Sequence, residues 1–137
     1  MGKELRKLCK TGLVIGGHPG ITPSYRGAYS SFWAIYNKDE ENIGYSIFFI
    51  DDGVDTGDLI FQEKVKFSKE DSYMSIDWRC MKEIAKKQVE ILEEYEKTKN
   101  ISKTKHSNIP DKSEYTIPGL SHYLRYLSLL KNKKFSN

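Results

Sequence analysis

The sequence predicts an α/β protein, because it holds a buried strand, a strand pair and a long amphipathic helix in that order. Residues 13–15 form a short, continuous apolar run, typical of a strand buried on both faces of a parallel sheet. Residues 43–50 are rich in aromatic and β-branched side chains, and residues 59–67 follow after a turn with two glycines, which favours a hairpin. Residues 71–97 place apolar side chains three and four positions apart, which indicates a helix.

Length and composition set limits on the class of protein. The chain has 137 residues, enough for one domain with a modest core, and 30% of them are charged, as is ordinary for a soluble protein. The net charge of +3 is too small to indicate DNA binding by itself. The sequence has neither a membrane-spanning apolar run nor a secretory signal, so we expect a cytoplasmic protein without a membrane partner. Cys9 and Cys80 have no metal-type spacing, so we expect no metal.

Three further helices are expected, at residues 3–10, 28–37 and 119–131. The long helix should begin at a capping signal, Ser68 to Asp71. Its apolar stripe is expected to comprise Met74, Trp78, Met81, Ala85, Gln88, Leu92 and Tyr95. Trp33 and Trp78 are assigned to the core. Residues 98–116 are polar and favour a loop, which suggests a division between a domain at 1–100 and a polar linker with a C-terminal helix at 101–137.

Two loops carry the residues best suited to chemistry. His18 ends the first apolar run, on a loop too rich in glycine and proline to be helical. Asp55 lies in the turn between the two strands of the hairpin. A histidine and an aspartate that project from neighbouring strand ends can meet, and such a pair fixes the imidazole tautomer and stabilises its charged form.

The same residues resemble the catalytic core of the folate-dependent formyltransferases, from about residue 13 to about residue 65. The motif consists of His18, Pro19, Pro23, Arg26 and Gly27, followed by Asp55, Thr56, Gly57, Asp58, Leu59 and Ile60. Each half is weak alone, but both in this order, with a helix and strands between them, make a specific signal. The resemblance implies that residues 1–100 are a partial formyltransferase catalytic domain, with a Rossmann-type sheet that lacks its N-terminal strand–helix units. The open sheet edge would then be completed by a missing N-terminal half or by another copy of the chain.

The resemblance also implies transfer of a formyl group from 10-formyltetrahydrofolate to a primary amine. The catalytic residues would be His18 as base and oxyanion partner and Asp55 as the residue that orients and charges it. The family has an asparagine two positions before the histidine, where this chain has Gly16. Loss of one oxyanion donor typically costs about 10²–10³ in rate, so either a backbone N–H replaces the asparagine or activity is impaired.

The resemblance further assigns binding residues. The folate donor would be held mainly by main-chain groups of the hairpin turn, at Asp51, Asp52, Gly53, Val54 and Thr56. The acceptor would lie beside Tyr25, Arg26 and Gly27, where the guanidinium of Arg26 suits an anionic group such as phosphate.

Several functions stay open from the sequence alone. The amine could belong to an amino-sugar nucleotide, to methionyl-tRNA or to a similar acceptor. Hydrolysis of the formyl-folate would use the same histidine–aspartate pair with water in place of the amine. A catalytically impaired module that only binds folate or a partner would be consistent with Gly16.

Overall fold

The computed structural model describes Cys9 and residues 13–68, 70–106 and 108–132. The helix expected at residues 3–10 therefore lies outside the described residues, apart from Cys9. The elements in chain order are β1 (Ile15–His18), β2 (Arg26–Gly27), α1 (Ser30–Tyr36), a 3-10 turn (Glu40–Asn42), β3 (Gly44–Phe49), β4 (Leu59–Lys64), α2 (Tyr73–Thr98), β5 (Glu114–Tyr115) and α3 (Leu120–Asn132).

The main sheet has three strands in the order β1-β3-β4. β3 and β4 pair antiparallel, so the predicted hairpin is confirmed. β1 also pairs antiparallel with β3, with Ile15 opposite Phe49, and residues 13–15 are only half-buried. The expectation of a strand buried on both faces between parallel neighbours is therefore wrong. An apolar run does not specify the direction of the neighbouring strand, and in this chain it does not correspond to full burial either.

The helix α2 packs directly on the backbone of β1. A Cβ atom added at Gly17 would lie only 2.2 Å from Cγ2 of Ile84, so this close approach requires glycine. Gly16, one residue earlier, faces the opposite side of the strand because side-chain positions alternate along a strand. One face of β1 is thus covered by α2, and the other borders the cleft described below, which explains its half-burial.

An aromatic cluster forms the centre of the core. Phe32 on α1 is fully buried, and its ring contacts Tyr126 on α3 at 4.8 Å between ring centroids. Tyr73 on α2 meets the same ring edge-on at 5.5 Å, and Trp33 does so at 5.3 Å. Such pairs stabilise a core beyond the burial of their area. The predicted helices around residues 28–37 and 119–131 are confirmed, and α1 is held between α2 and α3.

The helix α2 presents a different face to the core from the one predicted. The buried face comprises Tyr73, Ile76, Cys80 and Ile84. The predicted stripe lies beside it on an exposed flank, and the side chain of Trp78 is 73% exposed, so its assignment to the core is wrong. Two apolar stripes run side by side at the same spacing, and spacing alone does not show which one faces the sheet. The helix is capped by Ser72 with Ser75, not by the predicted Ser68 signal.

The described residues between 99 and 116 are largely irregular, as predicted, but they pair with the rest of the chain at two places. Thr104 forms an isolated antiparallel bridge with Leu59 at the start of β4. β5 pairs in parallel with β2, with Arg26 opposite Glu114.

Among the described residues, no helix is both long and apolar enough to cross a membrane.

Candidate functional site

His18 is the last residue of β1, and only 5% of it is exposed. Its Nε2 atom lies 2.9 Å from the carbonyl oxygen of Tyr25 and 2.9 Å from Oγ of Ser30. A carbonyl oxygen can only accept a hydrogen bond, so the contact with Tyr25 favours the tautomer in which Nε2 carries the proton. Nδ1 is then the basic nitrogen of the neutral ring.

Asp55 faces that nitrogen across a short gap. Its Oδ2 atom lies 3.5 Å from Nδ1 of His18, and the backbone N–H of Gly27 donates to the same oxygen at 2.8 Å. Asp55 has a left-handed backbone conformation, with φ of 52°, which aspartate tolerates better than most residues in a turn. The structure therefore brings together the two side chains that the sequence singled out, from the two loops expected.

Burial and charge act in opposite directions on the imidazole. Desolvation lowers the pKa of His18 below its ordinary value, and this effect is larger than the opposing effects of the Asp55 carboxylate and the Tyr25 carbonyl. His18 is therefore neutral at neutral pH, as a general base must be. A proton taken up at Nδ1 would be stabilised by the carboxylate at 3.5 Å.

A cleft of about 290 Å³ opens beside the pair. It is lined by Gly16, Gly17, Phe48, Ile50, Asp51, Gly53, Val54 and Asp55. This volume is near the lower end of the range for small-molecule pockets. Phe48 and Ile50 supply its apolar wall, and Asp51, Gly53, Val54 and Asp55 line it from the turn.

Only some of the turn residues predicted to hold the folate line the cleft. Asp51, Gly53 and Val54 line the cleft. The Thr56 hydroxyl donates to the Asp51 carboxylate at 2.8 Å, so that side chain closes the turn. Asp52 is exposed and lies outside the cleft lining. The cofactor role of these five residues stays a prediction.

The residues predicted to contact the acceptor are largely engaged inside the chain. The Tyr25 ring is buried and stacks on Tyr115 at 5.2 Å. Arg26 is 7% exposed, and its Nη1 donates to the carbonyl oxygen of Val54 at 2.9 Å. Gly27 uses its N–H to hold Asp55. Their acceptor role stays a prediction, but an anion that reached the Arg26 guanidinium would compete with these contacts.

Gly16 lies in the cleft at the position where the family pattern has asparagine. A Cβ atom there would lie 3.1 Å from Cγ1 of Ile50, tighter than an ordinary contact. A residue with a side chain at this position would thus require Ile50 to shift by a few tenths of an ångström.

Sequence reasoning missed Ser30, which contacts the histidine, and Ser113 and Tyr115, which contact the loop at residues 25–28. Ser30 follows the motif and could have been found from its place at the start of α1. Ser113 is 87 positions from Arg26, and no local pattern marks it. Among the described residues, no group of three or more metal-ligating side chains comes together.

Comparison with known proteins confirms the family resemblance. Residues 3–94 match the family model described as formyl transferase. The methionyl-tRNA formyltransferase of Pelotomaculum thermopropionicum is 43% identical over 58 residues, which are 42% of this chain and 18% of that protein. The GDP-perosamine N-formyltransferase of Brucella melitensis is 37% identical over 70 residues, 51% of this chain and 26% of that protein. The chain thus matches only about a quarter or less of these relatives.

Solved structures share the fold. The formyltransferase PseJ from Anoxybacillus kamchatkensis, determined in complex with UDP-4,6-dideoxy-4-formamido-L-AltNAc and tetrahydrofolate, superposes with a TM-score of 0.67 at 23% identity. The match covers 96% of this chain and 65% of that one. A 4-N formyltransferase from Francisella tularensis superposes with a TM-score of 0.63 at 21% identity, covering 85% and 52% of the two chains. At these identities the likeness concerns the fold, and it confirms the predicted α/β class.

Proposed function

The chain belongs to the formyl transferase family, and from that premise we propose that it transfers a formyl group from 10-formyltetrahydrofolate to a primary amine. The observation that carries the proposal is the approach of His18 Nδ1 to Asp55 Oδ2 at the edge of a cleft. The named relatives use two kinds of acceptor, methionyl-tRNA and an amino-sugar nucleotide. Both kinds of amine are proposed acceptors.

The chemistry assigns one role to each side chain. When the amine attacks the formyl carbon, a carbon–nitrogen bond forms and the carbonyl oxygen becomes negatively charged. His18 takes the amine proton at Nδ1, and Asp55 stabilises the resulting imidazolium. As the bond from the formyl carbon to the donor nitrogen breaks, His18 returns the proton to that nitrogen. The Tyr25 carbonyl holds the ring in position throughout, through Nε2.

The test is formyl transfer by the protein and by a His18→Ala variant, with 10-formyltetrahydrofolate as donor and with an amino-sugar nucleotide and methionyl-tRNA tried separately as acceptors. Loss of a general base typically costs about 10²–10⁴ in rate, and we expect a loss in that range. His122→Ala is the matched control, because His122 lies on α3, packs on Trp33 of α1, and is not among the residues that line the cleft. Turnover that survives in His18→Ala would contradict the assigned role, and no turnover with either acceptor would contradict the proposed function.

Donor binding without transfer is a second candidate function, favoured by glycine at position 16. Calorimetry with a non-transferable formyl-folate analogue separates it from the first. Binding by a protein that shows no turnover would support this second function, and turnover would exclude it.

A further inference from the structure

Residues 103–106 and 108–116 contact both loops of the candidate site, although they follow the part of the chain that the family model matches. Thr104 and Leu59 exchange two backbone hydrogen bonds of 2.8 Å at the end of the hairpin turn. Lys103 Nζ lies 2.6 Å from Oδ2 of Asp58 in the same turn. The first part of the segment therefore fastens the loop that carries Asp55.

The second part of the segment fastens the loop that follows His18. The N–H of Arg26 donates to the carbonyl oxygen of Ser113 at 2.8 Å, and that of Ala28 donates to Tyr115 at 2.9 Å. Gly27 lies between them with a positive φ of 87°, and its N–H donates to Oδ2 of Asp55 and not to β5. The pairing of β2 with β5 thus sets the direction of the donor that holds the carboxylate.

A buried side-chain contact links Ser113 to both loops of the site. Arg26 Nε donates to Oγ of Ser113 at 3.0 Å, and Nη1 of the same guanidinium donates to Val54 O beside Asp55. The Ser113 hydroxyl donates in turn to the carbonyl oxygen of Pro110 at 2.7 Å. Ser113 is only 2% exposed. Removal of its hydroxyl would leave a buried donor on a charged group without a partner, which is costly.

We propose that residues 103–106 and 108–116 form a strap that sets the Asp55 carboxylate against His18, with Ser113 as a positioning residue that acts through Arg26 and Gly27. Its consequence for catalysis rests on the proposed function, but the positioning itself does not. Misplacement of a catalytic group by about 1 Å can cost on the order of 10²-fold in rate, so a strap of this kind has a measurable effect.

The test compares Ser113→Ala with Lys112→Ala, a change at the neighbouring exposed position of the strap. Hydrogen exchange is measured at the amides of Arg26, Gly27 and Ala28. We expect their protection to fall together by about tenfold in Ser113→Ala and to stay unchanged in Lys112→Ala. A fall at Arg26 and Ala28 that leaves Gly27 unchanged would overturn the proposal.

A second readout concerns the pair itself and would not respond to a merely structural role of Ser113. The change in the His18 titration midpoint caused by Asp55→Asn is measured with Ser113 present and with Ser113→Ala. We expect a smaller change in the Ser113→Ala background, because the carboxylate is no longer held near the ring, and an equal change would overturn the proposal. If Ser113→Ala does not fold, exchange in the unaltered protein decides: equal opening free energies at the three amides support the strap, and unequal ones contradict it. Both readouts apply even if no formyl transfer is found.

Discussion

The aromatic core and the candidate site are built in different ways. The core surrounds a fully buried Phe32 with rings from three helices, and ring packing supplies most of its contacts. The site holds His18 through the contacts of its Nε2 with the Tyr25 carbonyl oxygen and the Ser30 hydroxyl, and Asp55 accepts a hydrogen bond from the Gly27 N–H. Packing of many atoms determines the first region, and the direction of a few polar groups determines the second. Changes in the core should therefore alter the free energy of unfolding, and changes at the site should alter the reaction rate.

The largest expected effect is in the core. Phe32→Ala removes a ring that contacts Tyr73 and Tyr126, and the cavity should lower the free energy of unfolding by about 3–5 kcal/mol. Urea denaturation followed by circular dichroism measures the change. A loss below about 1 kcal/mol would show that the rings around Phe32 are not the centre of the core.

The next effect concerns the site alone. Gly16→Asn combined with Ile50→Ala supplies the amide that the family resemblance implies and makes room for it, because Cγ1 of Ile50 lies 3.1 Å from the position of the added Cβ. We expect the rate of formyl transfer to rise by about 10²–10³ over the single Ile50→Ala variant. An unchanged rate would mean that position 16 does not supply a donor to the oxyanion in this chain.

Asp77 belongs to neither the aromatic core nor the candidate site, and its titration tests how strongly burial acts on a single carboxyl group. Burial raises its pKa from 3.8 to about 6, although interaction with Ser31 at the start of α1 acts in the opposite direction. Because the folded-state pKa is raised, the contribution of Asp77 to the free energy of unfolding is fully present below about pH 4. It is lost as the pH rises through 6. Asp77→Asn should therefore be more stable than the unaltered protein at pH 7, by on the order of 1–3 kcal/mol.

The measurement is the difference in unfolding free energy between the two proteins, recorded from pH 4 to pH 8. Taking the difference between the two proteins removes the contribution of His18. Its pKa is lowered on folding, so its effect on stability changes with pH in the opposite direction to that of Asp77. We expect the difference to grow between pH 4 and pH 6. A difference that does not change with pH would contradict the burial of the carboxylate.

Much of this architecture could be predicted from the sequence. Aromatic and β-branched residues marked the hairpin, and the two motif halves placed His18 and Asp55 on adjacent loops. The exposure of Trp78 could not be predicted, because a stripe beginning at Tyr73 and one beginning at Met74 have the same helical spacing. The contacts of Ser113 also escaped prediction, since a parallel pairing across almost ninety residues depends on the whole fold and has no local signature.

The smallest effect is expected on the exposed flank of α2. Trp78→Ser removes a large ring that is 73% exposed, so the free energy of unfolding should change by no more than about 0.5 kcal/mol. The same urea titration used for Phe32→Ala measures it. A loss of about 2 kcal/mol or more would mean that the flank is covered in the folded protein, and the contrast with the core would not hold.

The central claim is that Asp55 acts on a neutral, buried His18. Titration of the His18 ring by ¹⁵N NMR, in the unaltered protein and in Asp55→Asn, tests it most directly. We predict a midpoint below 6.5 in the unaltered protein, because burial dominates, and a still lower one in Asp55→Asn, because the carboxylate that raises the pKa is lost. Identical midpoints in the two proteins would contradict the claim, since the carboxylate would then have no influence on the imidazole.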